Sequence, residues 1–385
     1  MNNLKVSIAG LGIAAAMFTA CTSEHQTAVT VSGLNPAAFD SVINGKKTAL
    51  YTLTNKSGME VCITNFGGRV VSIVVPDKDG KPTDVVLGYD NLAQYADTVN
   101  SPSDFGSSVG RYANRINKGR LTVEGKEYQL PQNNFGHCLH GGPSGWMYQV
   151  YDAEQPNDST LKLTIVSPDG DNGFPGTVTA TTTYTLLNNN TLDISFDATT
   201  DKETVINMTN HSYFNLNGDP STEGMDMVLY INADNYTPAD STYMTTGEIS
   251  PVEGTPMDFR TPRALEQTVN DTTFEQIRNA SGYDHNWCLK DGKGDDKTVA
   301  ASLYSPKTGI FLEMFTNEPG VQVYTGNFQG TGVSCKHGVK YPKHVSVCLE
   351  SQKYPDSPNK KDWPSPYLKP GEKYHSHVAY KFSVK

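Results

Sequence analysis

A histidine that can exchange protons lies just past the middle of the 385-residue chain, in the stretch 209–216, which reads TNHSYFNL. The unperturbed pKa of histidine lies close to neutral pH, so His211 can donate or accept a proton there. The neighbouring Ser212 offers a hydrogen bond that orients the ring, and Tyr213 offers a flat apolar face. A histidine that only completes a buried strand explains the same residues, because proton transfer also requires a positioned partner.

A glutamate near the C-terminal end is a candidate for that partner. Glu350 follows an alternating apolar run, Val345, Val347 and Leu349, and precedes a polar loop. This pattern predicts a carboxylate at the end of a strand, where it can act as a general base toward a cleft. The alternative interpretation is a strand end that is simply solvated.

Three further stretches have residue types that suit a ligand rich in hydroxyl groups. Arg111 and Arg115 stand four residues apart and are either two surface charges or a fork of guanidinium groups. His140 precedes a glycine-rich loop, which lets the backbone approach a ligand closely, and Trp146 follows with a face that packs on a sugar ring. Asp284 either forms a local Asx turn or accepts hydrogen bonds from neighbouring hydroxyls.

The sequence does not predict a metal site. His137, His140, His375 and His377 are the histidines that could supply ligands, but their spacing defines neither ligand number nor geometry. The cysteines after Cys21 are odd in number and form no C-x-x-C pair, which predicts neither a disulfide framework nor a cysteine-based zinc site. The net charge of −10 argues against nucleic acid and acidic membrane surfaces as partners and is compatible with a neutral substrate.

The N-terminus has the features of an export signal. Residues 6–18 are almost wholly apolar or small, and this run is shorter than the roughly 20 residues that span a bilayer. The junction FTAC at 18–21 resembles the lipobox of bacterial lipoproteins, which implies that residues 1–20 are removed and Cys21 is lipidated. An ordinary signal peptide is the alternative. Residues 21–45 are predicted to be a tether. We therefore expect an exported lipoprotein, anchored in a membrane through its lipid, on the periplasmic side or cell surface of a bacterium.

The rest of the chain predicts an all-β fold. Residues 177–198 alternate with a period of two on both sides of an Asn-rich turn, which is typical of antiparallel strands with one buried face. Further hairpins are predicted at 121–128 and at 310–324, and short helices only at 91–97 and 274–280. Many strands without long helices favour a large antiparallel β-sandwich, and the uniform composition of 46–385 favours a single domain.

Taken together, these stretches resemble the aldose 1-epimerase family, whose members are often called galactose mutarotases. The resemblance covers about residues 48–385 and is carried by short motifs whose order and spacing are shared. In this sequence they are DVVLG at 84–88, GRYANRI at 110–116, LHGG at 139–142, SPDG at 167–170, TNHSYFNL at 209–216, DHN at 284–286, PGVQ at 319–322, YTGN at 324–327, LE at 349–350 and YPD at 354–356.

The resemblance implies a fold, a reaction and a set of residue roles. The family's fold is a large antiparallel β-sandwich, and its reaction interconverts the α and β anomers of aldohexoses such as galactose and glucose without a metal or an organic cofactor. His211 corresponds to the general acid and Glu350 to the general base. Sugar-binding positions correspond to Asn114, Arg115, His140, Asp284 and Gln322, and we add Ser212 and Tyr213 from the motif that contains His211. A monomer or a dimer is expected.

Three other functions remain as alternatives. A glycoside hydrolase requires two carboxylates flanking the bond, which Asp284 and Glu350 would provide, but His211 would then have no role. A sugar-binding lipoprotein without catalysis would tolerate the loss of Glu350. A phosphosugar epimerase is disfavoured because these motifs contain no cluster of lysine and arginine for a phosphate.

Overall fold

The computed structural model describes residues 29–290 and 294–385, in which strands predominate. The predicted signal segment 1–20 and Cys21 lie outside the described residues. In chain order the strands are β1 Ser41–Ile43, β2 Lys46–Thr48, β3 Leu50–Thr54, β4 Glu60–Thr64, β5 Arg69–Pro76, β6 Pro82–Asp84, β7 Ser107–Val109, β8 Arg115–Ile116, β9 Arg120–Val123, β10 Lys126–Gln129, β11 Cys138–Leu139, β12 Asp152–Asn157, β13 Thr160–Ser167, β14 Val178–Leu186, β15 Thr191–Thr200, β16 Thr204–Val205, β17 Thr209–His211, β18 Tyr213–Phe214, β19 Val228–Ile231, β20 Ala233–Thr237, β21 Ser250–Pro251, β22 Arg263–Ala264, β23 Asp284–Leu289, β24 Ala301–Tyr304, β25 Ile310–Thr316, β26 Gly320–Tyr324, β27 Val347–Gln352, β28 Tyr367–Leu368 and β29 Tyr374–Val384.

The helices are short. Two α-helices, α1 Leu92–Ala96 and α2 Glu275–Ala280, confirm the predicted helical stretches to within a residue or two. Single 3-10 turns occur at Pro36–Phe39, Asn117–Gly119, Trp146–Tyr148, Asp171–Gly173, Leu265–Gln267, Lys336–Gly338 and Ser357–Asn359. None of the helices in the described part of the chain has the length and apolar character needed to cross a membrane.

Two large antiparallel sheets form the sandwich, which confirms the predicted fold class. The first has nine strands in the order β12-β13-β14-β15-β29-β25-β24-β19-β22, and the second has six in the order β18-β27-β26-β23-β20-β21. Buried apolar side chains from both sheets belong to one hydrophobic core. Tyr380 of the first sheet connects the two directly, because its hydroxyl donates a 2.7 Å hydrogen bond to the carbonyl of Leu349 in the second. A third antiparallel sheet has four strands in the order β3-β4-β5-β6.

The hairpin predicted at 177–198 is present as strands β14 and β15. Leu186 pairs with Leu192 beside the turn and Val178 pairs with Thr200 at the other end. Burial alternates along β14, with Val178, Tyr184 and Leu186 on the buried face and Thr179, Thr181, Thr183 and Thr185 on the exposed or partly exposed face. The smaller predicted hairpin is also confirmed, because β9 and β10 pair around a turn at residues 124–125.

The third predicted hairpin, at 310–324, is wrong. Strand β25 pairs with β24 and β29 in the nine-stranded sheet, whereas β26 pairs with β23 and β27 in the six-stranded sheet. The turn at residues 317–319 therefore carries the chain from one layer of the sandwich to the other. All five residues of Gly320–Tyr324 are buried, as expected for a strand that has neighbours on both sides and is covered on both faces.

The described part of the predicted tether packs on the domain. Leu34 and Phe39 are buried in a hydrophobic cluster with residues of the four-stranded sheet, such as Cys62. The backbone N–H of Val31 donates a 2.8 Å hydrogen bond to a carboxylate oxygen of Glu60. In the structure the packed domain therefore begins before residue 46, at about residue 31, and residues 29–45 do not extend away from it.

Candidate active site

A cavity of about 480 Å³ lies against one face of the six-stranded sheet. Its volume lies within the range typical of small-molecule sites. Its walls come from strands β17, β23, β26 and β27 and from the loops around 99–105, 114–115, 134–140 and 328–335. The lining residues include, from the sequence predictions, Asn114, Arg115, His140, His211, Tyr213, Asp284, Gln322 and Glu350.

His211 and Glu350 meet in this cavity although 139 positions separate them in the sequence numbering. The Nε2 atom of His211 lies 3.6 Å from the Oε1 atom of Glu350, and the side chains are only 6% and 2% exposed. The second carboxylate oxygen of Glu350 is buried without a hydrogen-bond partner among the described residues. A buried carboxylate oxygen without a protein partner is costly, so the surroundings of Glu350 disfavour its ionised form.

The ring of His211 is held by two neighbouring rings. Tyr213 stacks on it with the planes 9° apart and the ring centres 4.9 Å apart. His140 meets it edge-on at 5.4 Å. Asn114 fixes the position of His140 through two hydrogen bonds. The backbone N–H of Asn114 donates to the ring Nδ1 of His140, and the backbone N–H of His140 donates to the carbonyl of Asn114. With Nδ1 acting as the acceptor, the neutral ring carries its proton on Nε2 and offers a donor to the cavity.

Burial opposes charge on each of these groups. It lowers the pKa of His211 and lowers that of His140 to about 3, and it raises the pKa of Glu350 well above its usual range. The negative charges of Asp284 and Asp104 raise the pKa of Glu350 further, and Arg115 opposes them. An ionised Glu350 and a protonated His211 would attract each other across the cavity. Their pKa shifts run in the opposite direction, because desolvation outweighs an attraction across 3.6 Å.

Two polar side chains of the cavity are anchored by hydrogen bonds. Gln322 lies opposite Asn286 on the neighbouring strand, and its Nε2 donates a 2.6 Å hydrogen bond to Oδ1 of Asp284. Arg115 donates to Oδ1 of Asn134 through both Nε and Nη2, at 3.2 and 3.0 Å. These bonds fix the positions of the Asp284 carboxylate and the Arg115 guanidinium, which leaves their remaining acceptor and donor atoms for a ligand.

Three residues that the sequence suggested for a hydroxyl-rich ligand do not line the cavity. Trp146, whose ring was expected to pack on a sugar, is 1% exposed and belongs to the hydrophobic core. Arg111 is buried under the 167–176 loop, where its Nη1 donates to the carbonyls of Pro175 and Gly176, so it is neither a surface charge nor part of a fork with Arg115. Ser212, a predicted substrate contact, is 1% exposed and donates its hydroxyl proton to Oδ1 of Asn210 at 2.6 Å. Ser212 therefore does not line the cavity, unlike the other predicted site residues.

The structure also adds residues that sequence reasoning missed. Asp104, Tyr324 and Phe328 line the cavity, and Phe328 is 52% exposed at its mouth. Tyr324 and Phe328 lie within or just after the YTGN motif, so an aromatic contribution was detectable there. Asp104 belongs to the unremarkable loop SPSDFG at 101–106, and no pattern in the sequence marks it.

Three of the four histidines that could supply metal ligands each contact a different residue. His137 contacts Thr242, His375 contacts Asp197 and His377 contacts Asp193, so these histidines do not converge on His140. Asp104, His140 and His211 each place one potential ligand atom within 4.8 Å of the others. However, a metal requires a lone pair on Nε2 of His140, and the N–H of Asn114 already forces the proton onto that atom.

Comparisons with known proteins agree with this geometry. The family model described as aldose 1-epimerase matches residues 49–381. The chain is similar to galactose mutarotase from Mus musculus, with 42% identity over 85% of this chain and 92% of that protein. It is similar to aldose 1-epimerase from Escherichia coli strain K12, with 37% identity over 88% and 96% of the two chains.

Solved structures give the same result at the level of the fold. A galactose 1-epimerase from Lactobacillus acidophilus superposes with a TM-score of 0.78 at 28% identity, over 89% of this chain and 97% of that one. The GalM/aldose epimerase homologue from C. elegans gives a TM-score of 0.80 at 29% identity, over 88% and 99%. With the family model matching most of its length, the chain belongs to the aldose 1-epimerase family, the enzymes that interconvert sugar anomers.

Proposed function

We propose that this enzyme interconverts the α and β anomers of aldohexoses, with galactose and glucose as substrates, and that His211 and Glu350 move the protons. The observation that carries these roles is the 3.6 Å separation of the two side chains inside one cavity. The inclusion of galactose among the substrates rests on the names of the similar proteins from Mus musculus and Lactobacillus acidophilus.

The reaction requires one base and one acid on the same sugar. Glu350 removes the proton from the anomeric hydroxyl while His211 protonates the ring oxygen, and the bond between the ring oxygen and carbon 1 breaks. Rotation about the bond between carbons 1 and 2 turns the aldehyde over. The ring then closes on the other face of the carbonyl, with each group working in reverse. General acids and bases typically contribute about 100-fold each or more.

Desolvation influences where the proton lies before ring opening. The catalytic pair needs one proton, on His211, whereas burial favours the same proton on Glu350. The two arrangements have equal total charge and differ by transfer across 3.6 Å. A raised pKa also makes Glu350 a stronger base once it is ionised, so that it matches the weakly acidic anomeric hydroxyl more closely than an exposed carboxylate does.

The remaining polar groups suit the hydroxyls and the charge that develops. The Nε2–H of His140 and the guanidinium of Arg115 are donors directed at the cavity, and they stabilise oxygen that becomes partly negative during opening. Asp284, held by Gln322, is an acceptor for ring hydroxyls. Tyr324 and Phe328 provide apolar surface for the face of the sugar.

Polarimetry tests this proposal directly. We expect fresh α-D-galactose and α-D-glucose to equilibrate rapidly with the wild-type enzyme and at close to the uncatalysed rate with His211→Gln. A matched control is His375→Gln, since His375 lies on the surface of β29 and contacts Asp197. Wild-type activity in His211→Gln would remove the imidazole from the mechanism.

A glycoside assay and a binding measurement separate the alternatives. A glycoside hydrolase would release reducing sugar from a glycoside, which an epimerase leaves intact. A binding protein would retain sugar affinity and show no rate enhancement in any variant. Of the two carboxylates that a hydrolase would use, Asp284 is engaged by Gln322 at 2.6 Å, while His211 faces Glu350, an arrangement that suits an acid and base pair better than a carboxylate pair.

We also propose that the enzyme is exported and anchored through a lipid on Cys21. The support is the apolar run at 6–18 and the lipobox-like FTAC at 18–21. Labelling cells with a palmitate analogue should mark the wild type and leave Cys21→Ser unlabelled, with precursor accumulating. Equal labelling of both forms, or of neither, would exclude lipidation at this residue.

A further inference from the structure

Asp104 is a carboxylate in the cavity wall that the proposed mechanism leaves unused. It precedes strand β7, and its backbone carbonyl accepts hydrogen bonds from the N–H and the hydroxyl of Ser107, which fix the loop. The side chain is half-buried and lines the cavity. Within residues 29–290 and 294–385, its carboxylate receives no hydrogen bond from another side chain or from the backbone.

The carboxylate of Asp104 faces the imidazole of His211. One of its oxygens, one ring nitrogen of His211 and one of His140 lie within 4.8 Å of one another. No direct hydrogen bond joins Asp104 and His211, but their separation is short enough for a strong charge interaction in a partly buried site. Glu350 and Asp284 do not belong to this cluster. Asp104 is therefore a third carboxylate near the imidazole of His211, separate from Glu350 and Asp284.

His211 is surrounded by charges of both signs, and their effects on its pKa differ. The charged and titratable groups that line the cavity are Asp104, Glu350, Asp284, Arg115, His140, Tyr89, Tyr213, Tyr324 and Cys335, and Arg69 also acts on His211. Burial lowers the pKa of His211, and among the charges that oppose it the carboxylate of Asp104 comes first, ahead of Asp284. Asp284 is also tied to Gln322, whereas the Asp104 carboxylate is uncommitted.

We propose that Asp104 is a positioning residue of the epimerase reaction, whose carboxylate holds His211 in the protonated form that donates to the ring oxygen. The proposal rests on the roles given above to His211 and Glu350. Moving the proton from Glu350 to His211 places a positive charge beside Asp104. The negative charge left on Glu350 lies outside the Asp104 cluster and is repelled less, so Asp104 favours the productive arrangement of the shared proton.

The test compares Asp104→Asn, which keeps the shape and removes the charge, with the exposed Asp79→Asn as a control for net charge. The ring of His211 is followed by NMR in the ligand-free enzyme, its Cε1–H signal being assigned by its loss in His211→Gln. We expect Asp104→Asn to lower the titration midpoint of His211 by about 1 pH unit. The control should leave the midpoint unchanged.

Kinetics provide the second readout. In Asp104→Asn, kcat for galactose should fall about 10-fold at pH 8 and less at pH 6, with KM within about twofold of wild type. Asp104→Glu should restore much of kcat, because it returns the charge. A changed KM with an unchanged kcat would instead make Asp104 a sugar contact and overturn the proposal, as would an unchanged His211 midpoint.

Failure of this inference can be distinguished from failure of the proposed function. If Glu350→Gln abolishes epimerisation while Asp104→Asn titrates like wild type, only the role of Asp104 is wrong. If Glu350→Gln equilibrates sugars normally, the acid and base assignment fails. The NMR midpoint then still reports whether Asp104 acts on His211, but no catalytic role follows from it.

Discussion

Gln322 and Glu350 are direct partners across the adjacent strands β26 and β27. Directly opposed residues of an antiparallel pair project from the same face of the sheet, so the ladder directs both side chains toward the cavity. Gln322 is committed to Asp284, whereas the Oε2 atom of Glu350 has no partner among the described residues. The sheet therefore presents one fixed amide and one available carboxylate side by side.

We predict that Glu350→Gln lowers kcat for α-D-galactose by about 100-fold or more, because the amide cannot accept the anomeric proton. Polarimetry over the first minutes after dissolving the sugar gives the rate, and near-ultraviolet circular dichroism checks the fold. The amide preserves the size of the side chain and removes a buried carboxylate whose pKa is raised, so stability should be retained or improved.

The control for this variant is Glu124→Gln, which changes the same functional group in the exposed turn between β9 and β10. It should match wild type in rate. Equal rates for Glu350→Gln and Glu124→Gln would show that the carboxylate of Glu350 is dispensable.

Arg115→Lys tests the geometry of the guanidinium. Lysine cannot make the two hydrogen bonds that Nε and Nη2 of Arg115 make to Asn134, so the cation is less well placed. We predict that KM rises about 10-fold. Stopped-flow coupling to an anomer-specific dehydrogenase measures it, with the exposed Arg120→Lys as the control. An unaltered KM would place Arg115 outside the sugar contacts.

The fold and much of the cavity were predictable because each depends on local pattern. Alternation along 178–186 reports a strand with one buried face. The TNHSYFNL and LE motifs likewise identify His211 and Glu350. Arg111 and Arg115 show the limit of this reasoning. Between them Asn114 adopts a left-handed backbone with φ of 64°, which turns the chain so that one arginine enters the core and the other enters the cavity.

Asp104 shows the same limit more strongly. Its loop has no alternation and no motif, and its proximity to His211 depends on β7 pairing with β17, where Ser107 lies opposite His211. Long-range pairing of this kind leaves no local signal. The prediction of a hairpin at 310–324 was wrong for a related reason. Two consecutive strands joined by a Pro-Gly turn have the same sequence pattern whether they pair in one sheet or belong to two different sheets.

A surface pair on the nine-stranded sheet predicts a pH dependence of stability. The Nε2 atom of His377 lies 2.6 Å from Oδ2 of Asp193, and this hydrogen bond raises the pKa of His377. A raised folded-state pKa stabilises the protein fully below the unfolded value near 6.5, and this stabilisation is lost as pH rises through the folded pKa. The pair is partly exposed, so we expect Asp193→Asn to cost about 0.5–1 kcal/mol at pH 5.5 and less at pH 9.

Urea unfolding at the two pH values measures this difference. Asp197→Asn is the matched control, because its partner His375 lies on the same strand and both side chains are more than half exposed. It should change stability by less than Asp193→Asn at either pH. A loss in Asp193→Asn that is the same at both pH values would contradict titration of His377 as the cause.

The final prediction concerns a buried cation beneath the DVVLG motif. The Nζ atom of Lys336 lies 2.6 Å from Oδ2 of Asp84 and donates to the carbonyls of Val71 and Val86, each at 2.8 Å. Its side chain is only 5% exposed. Lys336→Met keeps the apolar stem and leaves a carboxylate and two carbonyls without their donor, so the free energy of unfolding should fall by about 3–5 kcal/mol.

The double variant Lys336→Met with Asp84→Asn should recover part of that loss, since it removes the unpaired charge. The exposed Lys340→Met should leave the free energy of unfolding close to that of the wild type. Chemical denaturation of the wild type and the three variants measures these free energies of unfolding. If the double variant loses as much stability as Lys336→Met, or more, then Lys336 does not stabilise the protein through its ion pair with Asp84.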